Sequence, residues 1–238
     1  MNKRPNPIYV FTHIPKTAGT AFLQALMVPN LNVMKFPGML TAIAKINKAE
    51  EIECITQHSP YGIHLFCRQK VIYITMLRDP VERAISYYFF IRNSSREGYR
   101  HPMADYAEKH SLLEFCALRK FRNVQTRFMA GILFDRCYPI LRSKFVDKLM
   151  LRQALYHMRA TYGFVGIKEK FDESVDRLAK ILNFKKNRAK KYYKPSGKPP
   201  MDRFSSLELS KIREYNYLDV ELYASAVKLF NGGGYGVF

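Results

Sequence analysis

Long apolar runs are absent from this sequence. No stretch approaches the roughly 20 consecutive apolar residues that a helix needs to cross a bilayer, so no transmembrane segment is predicted. The basic N-terminus, MNKRPNPIYVFTHIPK, also lacks the apolar core of roughly 7–15 residues that a secretory signal peptide contains. We therefore expect a soluble, intracellular protein.

Cysteine is scarce, and its spacing excludes two kinds of site. The four cysteines, Cys54, Cys67, Cys116 and Cys137, are far apart, and no CxxC or Cys/His set has the spacing of a zinc site. The sequence thus predicts neither a structural metal nor a redox dithiol. A chain of 238 residues buries a large core without needing disulfides or metals for stability. We therefore expect buried, reduced thiols, with one disulfide as the alternative.

Acidic residues are few relative to basic ones. There are 20 Asp and Glu against 39 Lys and Arg, which gives a formal net charge of +19. Such an imbalance favours an anionic partner, namely nucleic acid, an anionic membrane surface, an acidic polysaccharide or a phosphate-rich cofactor. An apolar fraction of 47% excludes a disordered chain.

The clearest predicted elements are two strand–turn–helix units. Their strands cover 8–14 and 70–76, their turns 15–20 and 77–80, and their helices 21–27 and 81–92. The second helix has a strong start signal, because Asp79 is a favourable N-cap and Pro80 suits the first helical position.

The rest of the sequence is mainly helical. A capping box at Ser111 opens one helix, and further elements are predicted as strands at 51–58 and 162–167 and helices at 123–131, 146–159, 169–182 and 205–230. Residues 185–203 hold eight Lys or Arg, one acid and three prolines, which predicts an extended basic loop, and residues 231–238 are predicted to form a flexible tail. We expect one α/β domain over residues 1–238, a parallel sheet flanked by helices with a mainly helical C-terminal half.

The turn at 15–20 is a candidate anion site. A strand-to-helix turn presents unpaired backbone N–H groups and the positive end of the helix dipole. Lys16, Thr17 and Thr20 add a charge and two hydroxyls, and Gly19 allows close approach of the backbone to a ligand. No GxxxxGK[ST] motif is present, and the alternative is an ordinary turn with a solvated lysine.

Arg78 is the second candidate for binding an anion. It lies just after the 70–76 strand, and Ser86 lies eight residues later, slightly over two helical turns away. An arginine fork and a hydroxyl at one place suit a phosphate. The alternative is a surface arginine paired with Glu82.

The two segments together, HIPKTAGTAF at 13–22 and LRDPVERAISYYFF at 77–90, resemble the sulfotransferases that use 3′-phosphoadenosine 5′-phosphosulfate (PAPS). The resemblance is closest to the carbohydrate, glycosaminoglycan-type O-sulfotransferases, and continues more weakly through 123–127, 164–171 and 215–223. It implies a P-loop-like fold, the PAPS cosubstrate and sulfuryl transfer to an acceptor hydroxyl, most often on a carbohydrate. The residues that it assigns to the 5′-phosphosulfate are Lys16, Thr17, Ala18, Gly19 and Thr20, and those that it assigns to the 3′-phosphate are Arg78 and Ser86.

Two residues are the candidates for the chemical step. Lys16 suits the charge that develops on the leaving phosphate oxygens. His58, at the end of the 51–58 strand, is the preferred base for the acceptor, because an unperturbed histidine pKa suits a base at neutral pH and the segment resembles the family's histidine motif. His13 is expected to brace its turn, His64 is a second candidate, and a glutamate base is the alternative that other branches use.

Two other functions remain as alternatives. A nucleotide-dependent kinase shares the strand–turn–helix, although it needs the absent Walker A motif and metal-binding carboxylates. A non-enzymatic protein that binds nucleic acid or another polyanion fits the charge and the aromatic content.

Three roles are open for the basic loop at 185–203. It closes over the cosubstrate, it lines a groove for an anionic glycan, or it is a solvated run of charges. We expect a cytoplasmic protein or, alternatively, a trimmed lumenal domain of a Golgi enzyme.

Overall fold

A parallel five-stranded sheet forms the centre of the molecule. The computed structural model describes residues 7–36, 41–43, 52–140, 143–187 and 197–233. The strands are β1 (Ile8–Thr12), β2 (Val33–Lys35), β3 (Cys54–Gln57), β4 (Val71–Leu77) and β5 (Tyr162–Ile167), in the spatial order β2-β3-β1-β4-β5. The chain moves to one side of β1 for β2 and β3 and to the other for β4 and β5. β1 therefore lies at the topological switch point, where parallel α/β sheets bind ligands outside the carboxyl ends of their strands.

The central strands are apolar on both faces because helices cover the sheet on both sides. All six residues of β5 are buried, as are the last six of β4. Thr12 pairs in register with Gln57 of β3 and Thr75 of β4. The residues that follow these three strands therefore emerge at the same edge of the sheet.

Helices make up most of the remaining structure. The α-helices used below are α1 (Gly19–Phe22), α2 (Pro80–Arg92), α3 (Ala104–Lys109), α4 (Leu112–Ala117), α5 (Val124–Ala130), α6 (Ile132–Cys137), α7 (Lys144–Ala160), α8 (Phe171–Leu182), α9 (Ser206–Tyr215) and α10 (Tyr217–Asn231). A π-helical segment, Leu23–Met27, continues α1. One apolar core lies around the sheet, and a second lies between α2, α4 and α9.

The predicted fold class is confirmed. Both strand–turn–helix units are present, Asp79 caps α2 through the backbone N–H of Glu82, and Ser111 opens α4 with a capping box. None of the helices in the part of the chain that the structure describes is both long and apolar enough to cross a bilayer.

Several details differ from the sequence prediction. β2, α3 and α6 have no predicted counterpart, since each is short, and the predicted 205–230 helix is two helices that meet at Asn216. The helical end extends to Asn231, inside the predicted tail, and residues 234–238 lie outside the described chain, as do 188–196 of the basic loop. All four cysteines are free, and Cys54 and Cys116 are buried as predicted. Cys67 is only partly buried, and Cys137 is exposed because α6 buries none of its side chains.

Candidate active site

A cleft of about 1000 Å³ opens at the switch point of the sheet. The segments that follow three strands line this cleft. β1 continues into the turn at 15–20, β3 into His58, and β4 into Arg78. The predicted site residues that line this cleft are Lys16, Ala18, Gly19, Thr20, His58, Arg78 and Ser86. Thr17 is fully buried in the turn instead, where its hydroxyl donates to the carbonyl of Ile14 at 2.9 Å. Residues far apart in the sequence thus meet because parallel strands end together.

The turn after β1 has an unusual backbone. Lys16 and Ala18 both adopt the left-handed conformation, with φ of 69° and 67°. Left-handed residues in a turn at a helix start expose successive N–H groups in the arrangement that binds anions. Gly19 is required there because a Cβ atom at this position would collide with the ring of His13. The strain and the glycine fit a turn shaped around a ligand.

The two turns contact each other directly. The carbonyl oxygen of Lys16 accepts a hydrogen bond of 3.1 Å from Nη1 of Arg78. The Lys16 ammonium lies 4.3 Å from the ring centre of Phe90, on α2. The loop carrying the first candidate anion site is thereby held against the helix carrying the second.

Arg78 is buried at the cleft, with only 4% of its surface exposed. Its Nη2 forms the 2.6 Å ion pair with Glu82 that the spacing allowed as an alternative, and Lys198 donates to the same carboxylate at 2.8 Å. Burial alone would raise the pKa of Glu82, but hydrogen bonds from Lys198 and Arg78 lower it to about 2. Among the described residues, none accepts a hydrogen bond from the buried Nε of Arg78. Two cations thus share one carboxylate beside Ser86, which favours binding of a further anion.

His58 and His13 stack at the mouth of the first turn. Their ring centres are 4.3 Å apart, and Nδ1 of His58 lies 2.7 Å from the carbonyl oxygen of His13. A carbonyl only accepts, so Nδ1 of His58 carries the proton and Nε2 keeps a lone pair. Burial lowers the pKa of both rings, to about 3 for His13. His58 therefore has the neutral form that a base needs, and His13 braces it and the turn.

Of three further histidines, two lie outside the cleft and one lines it. His64 lies in a short 3₁₀ helix outside the cleft, with Nδ1 2.9 Å from the Tyr73 hydroxyl, and His157 packs against Tyr61. His101 lines the cleft.

The cleft also contains side chains that the sequence did not single out. The cationic residues among these additional side chains are Lys120, Arg127 and Lys168, and the aromatic ones include Tyr87, Tyr99 and Phe90. Tyr87 and Phe90 belong to the YYFF segment at 87–90 and lie on the side of α2 that faces the cleft. Asp135 is the one carboxylate among the described lining residues, and Arg127 holds it in a 2.6 Å ion pair. No glutamate is among these lining residues.

The described ends of the basic loop are both fixed. At its start, the N–H of Asn187 donates to the carbonyl of Ala25, at the end of the helical segment that begins in the first turn. At its other end, Lys198 reaches Glu82 beside Arg78. The segment between them, which holds Tyr192 and Tyr193, lies outside the described residues.

A parallel sheet with a glycine-containing strand-to-helix turn at its switch point defines the class of P-loop-like α/β proteins. The sequence comparison is more specific, because the model of the sulfotransferase family matches residues 5–224. The chain belongs to this family.

The curated relatives include three from distant animals. Heparan sulfate 2-O-sulfotransferase 1 of Gallus gallus is 23% identical over 210 residues, covering 76% of this chain and 56% of the relative. The protein of the same name from Cricetulus griseus is 27% identical over 203 residues, covering 74% and 54%. The heparin sulfate O-sulfotransferase of Drosophila melanogaster is 22% identical over 202 residues, covering 74% and 56%. The chain thus spans little more than half the length of these relatives.

Proposed function

We propose that the protein transfers a sulfuryl group from PAPS to a hydroxyl group of a carbohydrate. The observation that carries this proposal is the meeting of the 15–20 turn, Arg78 and His58 in one cleft. The family implies a sulfate donor, and the two candidate phosphate-binding segments favour the bisphosphorylated nucleotide as that donor.

The residues present fit this nucleotide. The left-handed turn and Lys16 would hold the 5′ end, while Arg78 and Ser86 would hold the 3′-phosphate. The unpartnered Nε of Arg78 and the nearby ammonium groups of Lys198 and Lys168 supply further positive charge for a second phosphate. When bound, the nucleotide supplies the sulfuryl group and a leaving phosphate.

His58 acts as the base in this scheme. Its Nε2 takes the proton of the acceptor hydroxyl while the acceptor oxygen bonds to sulfur and the bond from sulfur to the phosphate oxygen breaks. The carbonyl of His13 fixes the tautomer that leaves Nε2 free of a proton. Lys16 stabilises the negative charge on the departing phosphate. Asp135 is a weaker candidate for the base, because Arg127 already holds its carboxylate.

The acceptor is an anionic glycan in this proposal. The relatives are named for heparan and heparin sulfate, and the outer part of the cleft carries Lys120 and His101 beside Tyr99. Ammonium groups recognise carboxylate or sulfate on a sugar, and aromatic rings stack on its apolar face. Electrostatic attraction by the net charge of +19 would speed the encounter with such a polymer.

Nucleotide binding tests the cosubstrate. Calorimetry with 3′-phosphoadenosine 5′-phosphate (PAP), and separately with ATP and Mg²⁺, distinguishes the sulfotransferase from a kinase. We expect saturable binding of PAP that EDTA does not change. Binding of ATP with Mg²⁺ in preference to PAP would instead support the kinase alternative.

The acceptor is identified by transfer of label. Radiolabelled PAPS is incubated with the protein and a panel of acidic glycans, neutral glycans, lipids and tyrosine peptides. We expect label on an acidic glycan. Label on a lipid or peptide alone would contradict the glycan acceptor, and salt-sensitive binding of both DNA and heparin without any transfer would favour the polyanion-binding alternative.

A further inference from the structure

Two segments that take no part in the proposed chemistry meet in the core. They are 123–127, at the start of α5, and 215–219, at the start of α10. The N–H of Asn123 donates to the side-chain oxygen of Asn216 at 3.1 Å, and the N–H of Leu218 donates to the side-chain oxygen of Asn123 at 3.1 Å. Each segment thus satisfies backbone donors at the start of the other's helix, which hold no partner within their own helix.

Asp219 strengthens this arrangement from within. Its carboxylate is fully buried and accepts three hydrogen bonds, from the N–H groups of Gln125 and Thr126 at 3.1 and 2.7 Å and from the Thr126 hydroxyl at 2.7 Å. Burial raises the pKa of Asp219, while the charge of buried Arg83 lowers it. The first turn of α5 is therefore fixed by a carboxylate from the far end of the chain.

The Gln125 side chain connects this first turn to the candidate 3′-phosphate site. It is fully buried, its Oε1 accepts from the N–H of Arg78 at 2.9 Å, and its Nε2 donates to the carbonyl of Arg78 at 2.8 Å. The amide thus pairs with both backbone groups of the residue that follows β4, as a neighbouring strand would.

This pairing differs in kind from the other contacts of Arg78. Its guanidinium binds the Lys16 carbonyl and Glu82, and a phosphate arriving at the guanidinium would compete with both. A phosphate would not compete with the Gln125 pair, because that pair involves only the backbone N–H and carbonyl of Arg78. The Gln125 pair can therefore fix the backbone from which the Arg78 side chain extends, whether or not a phosphate is bound.

We propose that Gln125, held by Asp219, is the positioning residue that gives the cleft its selectivity for a 3′-phosphate. The inference rests on the proposed function, because it assigns Arg78 to that phosphate. A small displacement of a group from its productive place lowers its effect by one or two orders of magnitude. Loss of the amide pair should therefore weaken recognition of the 3′-phosphate selectively, while the 5′ turn keeps its contacts.

The experiment measures affinity for two nucleotides that differ only in the 3′-phosphate, PAP and adenosine 5′-phosphate. In Gln125→Met, we expect the ratio of the two affinities to fall about tenfold or more, with the affinity for adenosine 5′-phosphate within about twofold of the unaltered chain. Gln153→Met is the matched control, because Gln153 bonds to His157 and does not line the cleft. It should keep the ratio.

A second variant gives a test that does not depend on Gln125→Met folding. In Gln125→Glu, a protonated carboxyl group can still accept from Arg78 N–H and donate to its carbonyl, whereas the ionised group repels that carbonyl. Burial raises the pKa of a carboxyl group. We therefore expect the affinity ratio of this variant, relative to the unaltered chain at each pH, to recover as pH falls from about 8 to about 6.

The outcomes separate this inference from the proposed function. If the unaltered chain does not prefer PAP over adenosine 5′-phosphate, the proposed function fails and this inference fails with it. If the unaltered chain prefers PAP and either Gln125 variant keeps the full preference at pH 8, the inference alone is overturned. An equal loss of both affinities in the Gln125 variants would mean a general structural role and would overturn it also.

Discussion

Two pairs of histidines in this molecule look alike and differ in one respect. The cleft pair, His13 and His58, lines the cleft, and the tyrosine-packed pair, His64 and His157, lies among Tyr61 and Tyr73. In each pair one Nδ1 lies 2.7 Å from a backbone carbonyl, that of His13 for His58 and that of Met129 for His157. Burial lowers the pKa of all four rings.

The difference lies at the second ring nitrogen. The Gln153 amide donates to Nε2 of His157 at 2.7 Å, which occupies its lone pair. Among the described residues, none donates to Nε2 of His58, which lines the cleft. A lowered pKa and a fixed tautomer are therefore shared by structural and candidate catalytic histidines. What distinguishes them is a lone pair that a substrate can reach.

The largest expected effect comes from removing the candidate base, His58. His58→Ala should lower turnover by roughly 10²–10⁴-fold and leave affinity for PAP nearly unchanged, because the base acts on the acceptor. Steady-state kinetics and calorimetry on the same preparation measure the two quantities. His64→Ala is the matched control and should keep turnover within about threefold; an equal loss in both variants would contradict the distinction.

Arg78→Ala separates binding from chemistry within the cleft. Removing a charged hydrogen-bonding group should weaken affinity for PAP by about 10- to 100-fold, and Lys16→Ala should weaken it in the same direction. Calorimetry measures both. Unchanged affinity in both variants would contradict the assignment of the cleft to this nucleotide. Arg136→Ala, on the exposed part of α6, controls for loss of positive charge alone.

His157→Ala tests the other pair by its effect on stability. The substitution leaves the Met129 carbonyl and the Gln153 amide without their partner, and should lower the free energy of unfolding by about 1–3 kcal/mol. Denaturant titration measures this loss. Turnover at a temperature where the variant is folded should be nearly that of the unaltered chain, and a hundredfold loss there would place His157 in the chemistry.

The pH dependence of the free energy of unfolding tests the neutral state of His13. Since His13 titrates at about 3 in the folded chain and near its ordinary value of 6.5 when unfolded, the unfolded chain binds more protons between these values. Stability therefore falls as pH decreases from 6.5 towards 3, by up to about 1.4 kcal/mol per pH unit for this group. His13→Gln should reduce that slope in denaturant titrations at a series of pH values. An unchanged or steeper slope in the variant would contradict a neutral, half-buried His13.

The parts of the site that sequence reasoning found are local. A strand, a turn and a helix start are encoded by adjacent residues, so the 15–20 turn and the Asp79 cap of α2 are readable from the sequence. His58 was found because parallel strands end at one edge, which brings the residue after β3 beside the residue after β1. The stacking with His13 adds a detail that no spacing rule supplies.

The parts it missed depend on long-range packing. His101 and Lys120 belong to irregular and 3₁₀ segments, whose place over the cleft is set by the helices around them rather than by periodicity. The pairing of Gln125 with Arg78 joins residues 47 positions apart and requires the first turn of α5 to be fixed by Asp219. Short elements such as β2 carry too little pattern to predict.

A single-turnover transfer experiment tests the central claim most directly. The protein, in excess over radiolabelled PAPS, is mixed with an acidic glycan in the presence of EDTA, and the rate of label transfer is compared for the unaltered chain, His58→Gln and His64→Gln. The account predicts transfer by the unaltered chain, a similar rate for His64→Gln and a rate at least about 100-fold lower for His58→Gln. Equal rates for the unaltered chain and His58→Gln would contradict it.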